Sequence, residues 1–445
     1  MGDIPYFQMQ MGAISQSFRM KKIGIVSSSA LIIGNMIGSG IFLLPASLAL
    51  YGGISLIGWV CSATGALLLA LIFSALSKRY PDVMGGPYAY CKKVLGNYVG
   101  FIVGWGYWVS IWCTNAAIAV AFVGYLTVII PGIAAHNSYM ALAGASVLWL
   151  CSGLNFLPLY TISVVQKWIT ILKVIPIVVL CFVGFWFVDW SSISFGNLST
   201  TTTFGAITAT TTLTLFAFLG LEAATIASKY VSNSKKTVGQ AGIISILITA
   251  FLYLFSSAII FGLLPFSTLQ NSSAPFADAT GVFLGDAART VVAVIALLVT
   301  FGALNGWMLI QGLIPHAMVK DGLFPKVFGK ENKYGTPYLG IVISSCLATG
   351  VLLLRYTDSL IELFSFMMNL STLSVLTPYL FSIVSLYVVL AKQAPLNLGM
   401  QLLFGASFSF CIWMVFGVGW EVFMYGIGLI LFGVILYELK IKRSK

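Results

Sequence analysis

Charge is scarce in this sequence: among 445 residues there are twelve acidic and twenty-three basic side chains, only 8% charged. A soluble chain of this length would divide into about two or three domains, each with a charged, hydrated surface. So few ionic groups cannot cover such surfaces, which excludes soluble enzymes and soluble binding modules. Histidine is rarer still, represented only by His136 and His316. The seven cysteines, Cys61, Cys91, Cys113, Cys151, Cys181, Cys346 and Cys411, are widely spaced and mostly inside apolar runs. That spacing supports neither a disulfide framework nor a thiolate metal site, so no metal, no cofactor and no catalytic residue is expected. The net charge of +11 does not point to nucleic acid, because no water-facing module gathers the bases on one face.

What the chain has instead is apolar sequence, 59% of its residues. A bilayer core about 30 Å thick takes roughly 20 apolar residues per helix. About twelve such runs are present, near 23–48, 53–77, 97–127, 138–156, 164–188, 204–228, 240–264, 287–315, 337–354, 361–390, 399–417 and 419–439. Polar segments such as 81–87, 191–202 and 320–336 separate them. The expected fold class is an all-α polytopic membrane protein. Residues 1–22 form a cytosolic N-terminal tail without the features of a cleaved signal peptide. Residues 23–390 form a ten-helix transport core, and 391–445 hold helices 11 and 12 with a basic C-terminal tail.

The bases assign the orientation, since loops on the cytoplasmic side carry the excess Lys and Arg. With both termini cytoplasmic, the alternate loops place twenty of the twenty-three bases inside. Arg289 and Arg355 fall outside, and Lys173 lies within a span. The +11 is thus an orientation signal.

Two spans contain interruptions. The first reads GNMIGSGIF, with Gly38, Ser39 and Gly40 near its middle, and the sixth reads LFAFLGLEAA, with Gly220 followed by Glu222. Glycine weakens a helix interior by about 0.5–1 kcal/mol relative to alanine. Unpaired backbone at lipid-facing depth is not tolerated, so an unwound stretch there must line a cavity or face protein. Small-residue packing against a neighbouring helix is the alternative for the glycines. Breaks in the first and sixth spans are what a five-plus-five inverted repeat produces around a midplane site, where half-helix N-termini suit an anionic group.

At these residues the sequence resembles the amino acid–polyamine–organocation (APC) superfamily, and within it the bacterial basic amino acid/polyamine antiporters. The resemblance rests on GNMIGSGIFLLPASLA (34–49), GGPYAY (85–90), LFAFLGLEAA (215–224), SAPFADA (273–279) and DGLFPKVFGKENKYGTP (321–337), in that order. It implies the APC fold with broken helices 1 and 6. By that resemblance the substrate carboxylate is held at Met36, Ser39 and Gly40, and the lining falls on Tyr107, Ser110, Asn115, Phe216, Leu219, Trp307 and Ser371. Aromatic faces attract cations by about 0.5–2 kcal/mol, and an asparagine can bond an ammonium or guanidinium. The arginine exchangers resemble this chain less at two positions, having Trp where Phe216 stands and Ser where Ala217 stands. Ser110 and Ala217 are closer to the ornithine/putrescine branch.

Glu222 and Lys173 are ionisable groups within spans, which makes each a functional candidate by default. The resemblance implies proton sensing or gating for Glu222. A lysine at Lys173 is similar to one in proton-coupled permeases of the superfamily, where an ammonium takes the place of a sodium ion. The expected function is therefore a secondary active transporter of the bacterial inner membrane, not an enzyme. It would exchange a basic amino acid for its decarboxylated amine or for another amino acid. Proton-coupled symport of neutral or varied amino acids is the alternative. The expected partners are the small-molecule amino acid or amine and the lipid bilayer, without nucleic acid; protons and a homodimer stay open. A channel would need a continuous polar pore, and a receptor would need a sensor domain; neither is visible.

Overall fold

A computed structural model of the chain describes residues 24–157, 175–222 and 234–444, apart from 82, 84, 356 and 394. Among the described residues the regular structure is entirely helical. In lipid every backbone N–H and C=O must be paired within the protein, and a helix does this inside its own segment. Runs of Leu, Ile, Val, Phe and Ala supply the apolar exterior.

The first span is a bent pair, α1 (Ile25–Met36) and α2 (Ser39–Ala49). The chain continues through α3 (Ser55–Arg79), a short α4 (Pro87–Leu95), α5 (Asn97–Ile129) and α6 (Asn137–Leu154). After α7 (Ile175–Val179), which runs on through a π-helical turn at Leu180–Gly184, come α8 (Thr203–Leu215) and α9 (Ser234–Leu263). The remaining helices are α10 (Pro275–Lys320), α11 (Tyr338–Leu354), α12 (Leu360–Ala391), α13 (Leu398–Gly417) and α14 (Trp420–Ser444).

Local chemistry sets several of these ends. Thr202 caps α8 by accepting from the Gly205 N–H. Ser359 and Glu362 form a reciprocal capping box at the start of α12. Pro87 and Pro275 occupy first turns, where a missing N–H costs nothing. Gly96, at φ 92°, turns the corner between α4 and α5, a conformation that other L-residues avoid.

Seven of the described helices are long and apolar enough to cross a bilayer: α3, α5, α9, α10, α12, α13 and α14. The bent pair qualifies as an eighth if counted as one span. Shorter apolar helices occupy Ile177–Phe187, Thr203–Phe218 and Tyr338–Leu354. The expected eighth span at 287–315 lies in the long part of α10, which follows a kink where Gly285 takes φ 79°. The kink places a short apolar helix before the long one.

Burial distinguishes the centre from the edge. The 33-residue α5 is about 50 Å long at 1.5 Å per residue, and almost all of its middle is buried against α10 and α12. In contrast, α13 and α14 are mostly exposed, and large apolar side chains point outward, with Phe416 at 76% and Trp420 at 75%. In water such a surface would be a liability; in hydrocarbon it is the expected exterior. On α8, Thr210, Thr211 and Thr214 satisfy their hydroxyls locally, each donating to a carbonyl one turn earlier.

Candidate functional site

The first expected break occurs, and α8 unwinds where the second is expected, the residues beyond Glu222 up to 233 lying outside those described. In the first span α1 and α2 meet at 44°, and Gly38 between them is extended (φ −126°, ψ −150°). The N-terminus of α2 has no side-chain cap, so its first backbone N–H groups lack partners within the helix. After α8 the chain makes a tight turn at Phe216–Phe218, Leu219 is extended, and Gly220 adopts φ 99°. The two breaks touch. A Cβ placed on Gly40 would lie 3.1 Å from Cδ1 of Phe216, and one on Gly220 would lie 3.2 Å from Cβ of Asn35. Glycine at both positions lets the unwound segments approach at backbone distance.

A small, partly open cavity lies beside this crossing. Its walls come from Asn35, Met36, Gly38 and Gly40 of the first break, Thr114 and Ile118 of α5, Phe216, Ala217 and Leu219 of the second break, and Trp307 of α10. None of these lining residues is charged. Five of the expected site residues, Met36, Gly40, Phe216, Leu219 and Trp307, therefore share one wall surface. The backbone of Ser39 starts α2, while its side chain lies outside the described residues. Asn35 and Thr114 were not singled out from the sequence. Asn35 was visible in the GNMIGSG motif, and Thr114 is adjacent to the expected Asn115, one step round the same helix.

The other expected residues form hydrogen-bonded groups next to the cavity. Glu222 is fully buried and accepts from the Tyr107 hydroxyl at 2.8 Å and the Tyr379 hydroxyl at 3.1 Å. Two donors in a site closed to water hold the carboxylate's orientation, and tie the second break to α5 and α12. Ser110 Oγ donates to the Tyr107 carbonyl at 2.8 Å, and Ser371 Oγ donates to the Ser110 carbonyl at 2.9 Å. Ser371 also shares a 2.8 Å hydrogen bond with Thr114, which brings it to the cavity wall at one remove. Asn115 donates from Nδ2 to Oε1 of Gln311 at 2.7 Å. Tyr379 was missed, because nothing in the sequence distinguishes it among nineteen tyrosines. Lys173 lies outside the described residues.

The pattern of the family described as amino acid permease matches residues 23–436. The chain is 31% identical, over 82% of its length and 83% of the relative's, to a cadaverine/lysine antiporter of Escherichia coli (strain K12). It is 30% identical to the putrescine transporter PotE of the same strain, over 96% of this chain and 99% of that one. With a family match across nearly all of its apolar sequence, the chain belongs to the amino acid permease family and is a multi-pass protein of the bacterial inner membrane.

Proposed function

We propose that this protein is a secondary active antiporter that exchanges a basic amino acid for its decarboxylated amine, or for another amino acid, by alternating access. The observation that carries the reading is the meeting of the bent first span and the unwound end of α8 beside a small cavity walled in part by Phe216 and Trp307, with a buried carboxylate nearby. The start of α2, which has no side-chain cap, suits an α-carboxylate. A carboxylate-free amine cannot use that contact, so the two exchanged substrates would share the aromatic wall instead. Trp307 and Phe216 offer π faces to a cationic side chain. That relatives are named for cadaverine, lysine and putrescine supports this substrate class.

The architecture that fits is twelve spans in a five-plus-five inverted repeat with both termini cytoplasmic. The long helices, the bent pair, the shorter apolar helices and α6 support that number. Residues 1–22 then form a cytosolic tail, 23–390 the transport core, and 391–445 the last two helices with a basic tail. The exposed α13 and α14 leave room for a homodimer. In this reading Met36, Ser39 and Gly40 hold the carboxylate end of the substrate. Tyr107, Ser110, Asn115 and Ser371 shape the opposite wall through Thr114 and Glu222, and Glu222 couples proton state to gating.

Counterflow in proteoliposomes tests the proposal. Vesicles loaded with unlabelled lysine, ornithine, cadaverine or putrescine should accumulate the labelled partner without a pH gradient. Accumulation that requires both a gradient and an empty lumen would overturn exchange. It would favour the second reading, proton-coupled symport of neutral or varied amino acids, for which Lys173 in the fifth span and the uncharged cavity wall are the supporting observations.

A further inference from the structure

The short helix α2 carries Pro45 in its interior. Proline has no N–H to give to the Ile41 carbonyl, and its ring crowds that turn. The next carbonyl, of Phe42, takes a donor from another helix, the hydroxyl of Tyr125 on α5 at 2.7 Å. The same hydroxyl accepts from the backbone N–H of Phe276 at 3.4 Å. Phe276 stands in the first turn of α10, where backbone N–H groups find no acceptor within their own helix. One side chain thus joins three elements, through a carbonyl beside a proline and an N–H at a helix start.

The rings repeat the joint. Phe42 meets Tyr125 edge-on with centroids 5.9 Å apart and Phe276 at 5.1 Å, and all three residues are fully buried. The segment leading into α10 lies directly on α5, since a Cβ on Gly124 would collide with the carbonyl oxygen of Ser273. Gln270 of that segment donates to the carbonyl of Ala49 at the far end of α2, at 3.1 Å. The half of the first span that leads away from the cavity is therefore strapped to α5 and to the start of α10.

We propose that Tyr125 is a positioning residue that acts unequally on the two exchanged substrates: it holds α2 closed over the cavity, and the decarboxylated amine depends on that hold more than the amino acid does. The inference rests on the reading of the cavity as an exchange site for a basic amino acid and its amine. An amino acid whose carboxylate sits at the start of α2 takes hold of that helix itself. An amine has no carboxylate and meets only the aromatic wall, so nothing in the substrate draws α2 in. Closure over the amine must then come from the protein, and the joint at Phe42, one turn along α2 from Ser39, is where Tyr125 supplies it.

The test is self-exchange in proteoliposomes of the full-length chain, with L-ornithine, L-lysine, putrescine or cadaverine present on both sides. Self-exchange makes the carrier close over one kind of substrate in both directions. Tyr125→Phe removes the hydroxyl and keeps the ring contact with Phe42. It should slow putrescine and cadaverine self-exchange by about three- to tenfold, the rate equivalent of one lost hydrogen bond, and leave L-ornithine and L-lysine within about twofold. Gly124→Ala, which pushes the segment before α10 off α5, should show the same bias from the other side of the joint. It decides the matter if Tyr125→Phe yields no folded protein. In either variant, equal slowing of all four substrates, no slowing, or a larger loss for the amino acids overturns the proposal. A wild-type chain that exchanges the amino acids but neither amine overturns it as well. One that exchanges none of the four refutes the functional reading itself, a result separable from a failure of the variants alone.

Discussion

The hydroxyl of Tyr107 donates a 2.8 Å hydrogen bond to Oε1 of Glu222, joining α5 to the segment that follows the break after α8. With Tyr379 on the other oxygen at 3.1 Å, the carboxylate is clamped between α12 and α5, the latter lining the cavity. A change in its protonation alters what both hydroxyls can donate to, and so bears directly on how the broken segment is held. Glu222→Gln is expected to flatten the pH dependence of transport between mildly acidic and mildly alkaline conditions. Initial exchange rates across that range check this, and an unaltered profile would remove Glu222 from proton sensing.

Losing one of the two donors should be less drastic than losing the carboxylate. Tyr107→Phe and Tyr379→Phe each take about 1–3 kcal/mol of hydrogen bonding from a buried charge-bearing group. Both variants should lower thermal stability in detergent and shift the midpoint of the transport pH profile without abolishing it. A double variant should show non-additive loss, because both tyrosines act on one carboxylate.

Trp307 presents its indole at the cavity wall and is only partly buried. Trp307→Ala should weaken cationic substrates by about 2- to 30-fold, the affinity equivalent of a cation–π contact. The yield of monodisperse protein should be little changed. Unchanged affinity for both amino acid and amine would exclude the indole as a contact.

Gly220 combines φ 99° with a close approach to Asn35. Gly220→Ala pays about 1–2 kcal/mol for a left-handed residue and also pushes the two breaks apart. Transport should fall at least tenfold with the protein still inserted in the membrane. Gly40→Ala meets only the edge of the Phe216 ring at 3.1 Å, which can shift by a few tenths of an ångström. It should therefore retain function better, and equal losses in both variants would contradict this ranking.

Lys173 separates the two transport modes. Lys173→Ala should abolish uptake driven by a pH gradient if the ammonium takes part in proton coupling, and should leave counterflow intact if exchange is the working mode. Measuring both in the same proteoliposome preparation distinguishes them.

The sequence by itself determined the apolar helices, their approximate ends and the positions of both breaks, because these are local properties. A run of apolar residues must be helical in lipid whatever its neighbours are, and Gly38 and Gly220 weaken the helix wherever it packs. The distribution of lysine and arginine likewise supports an orientation without knowledge of any contact. Only the tertiary structure decided which polar side chain meets which. Asn115 pairs with Gln311, 196 residues away, rather than facing the cavity, and Tyr379 reaches Glu222 from α12. Thr114, not Asn115, is on the cavity wall. These assignments follow from how each helix is rotated against its neighbours and from the need to satisfy every buried donor and acceptor in a medium of low dielectric. Neither constraint is written at any single position of the chain, so the residue types of the site could be read in advance while their partners could not.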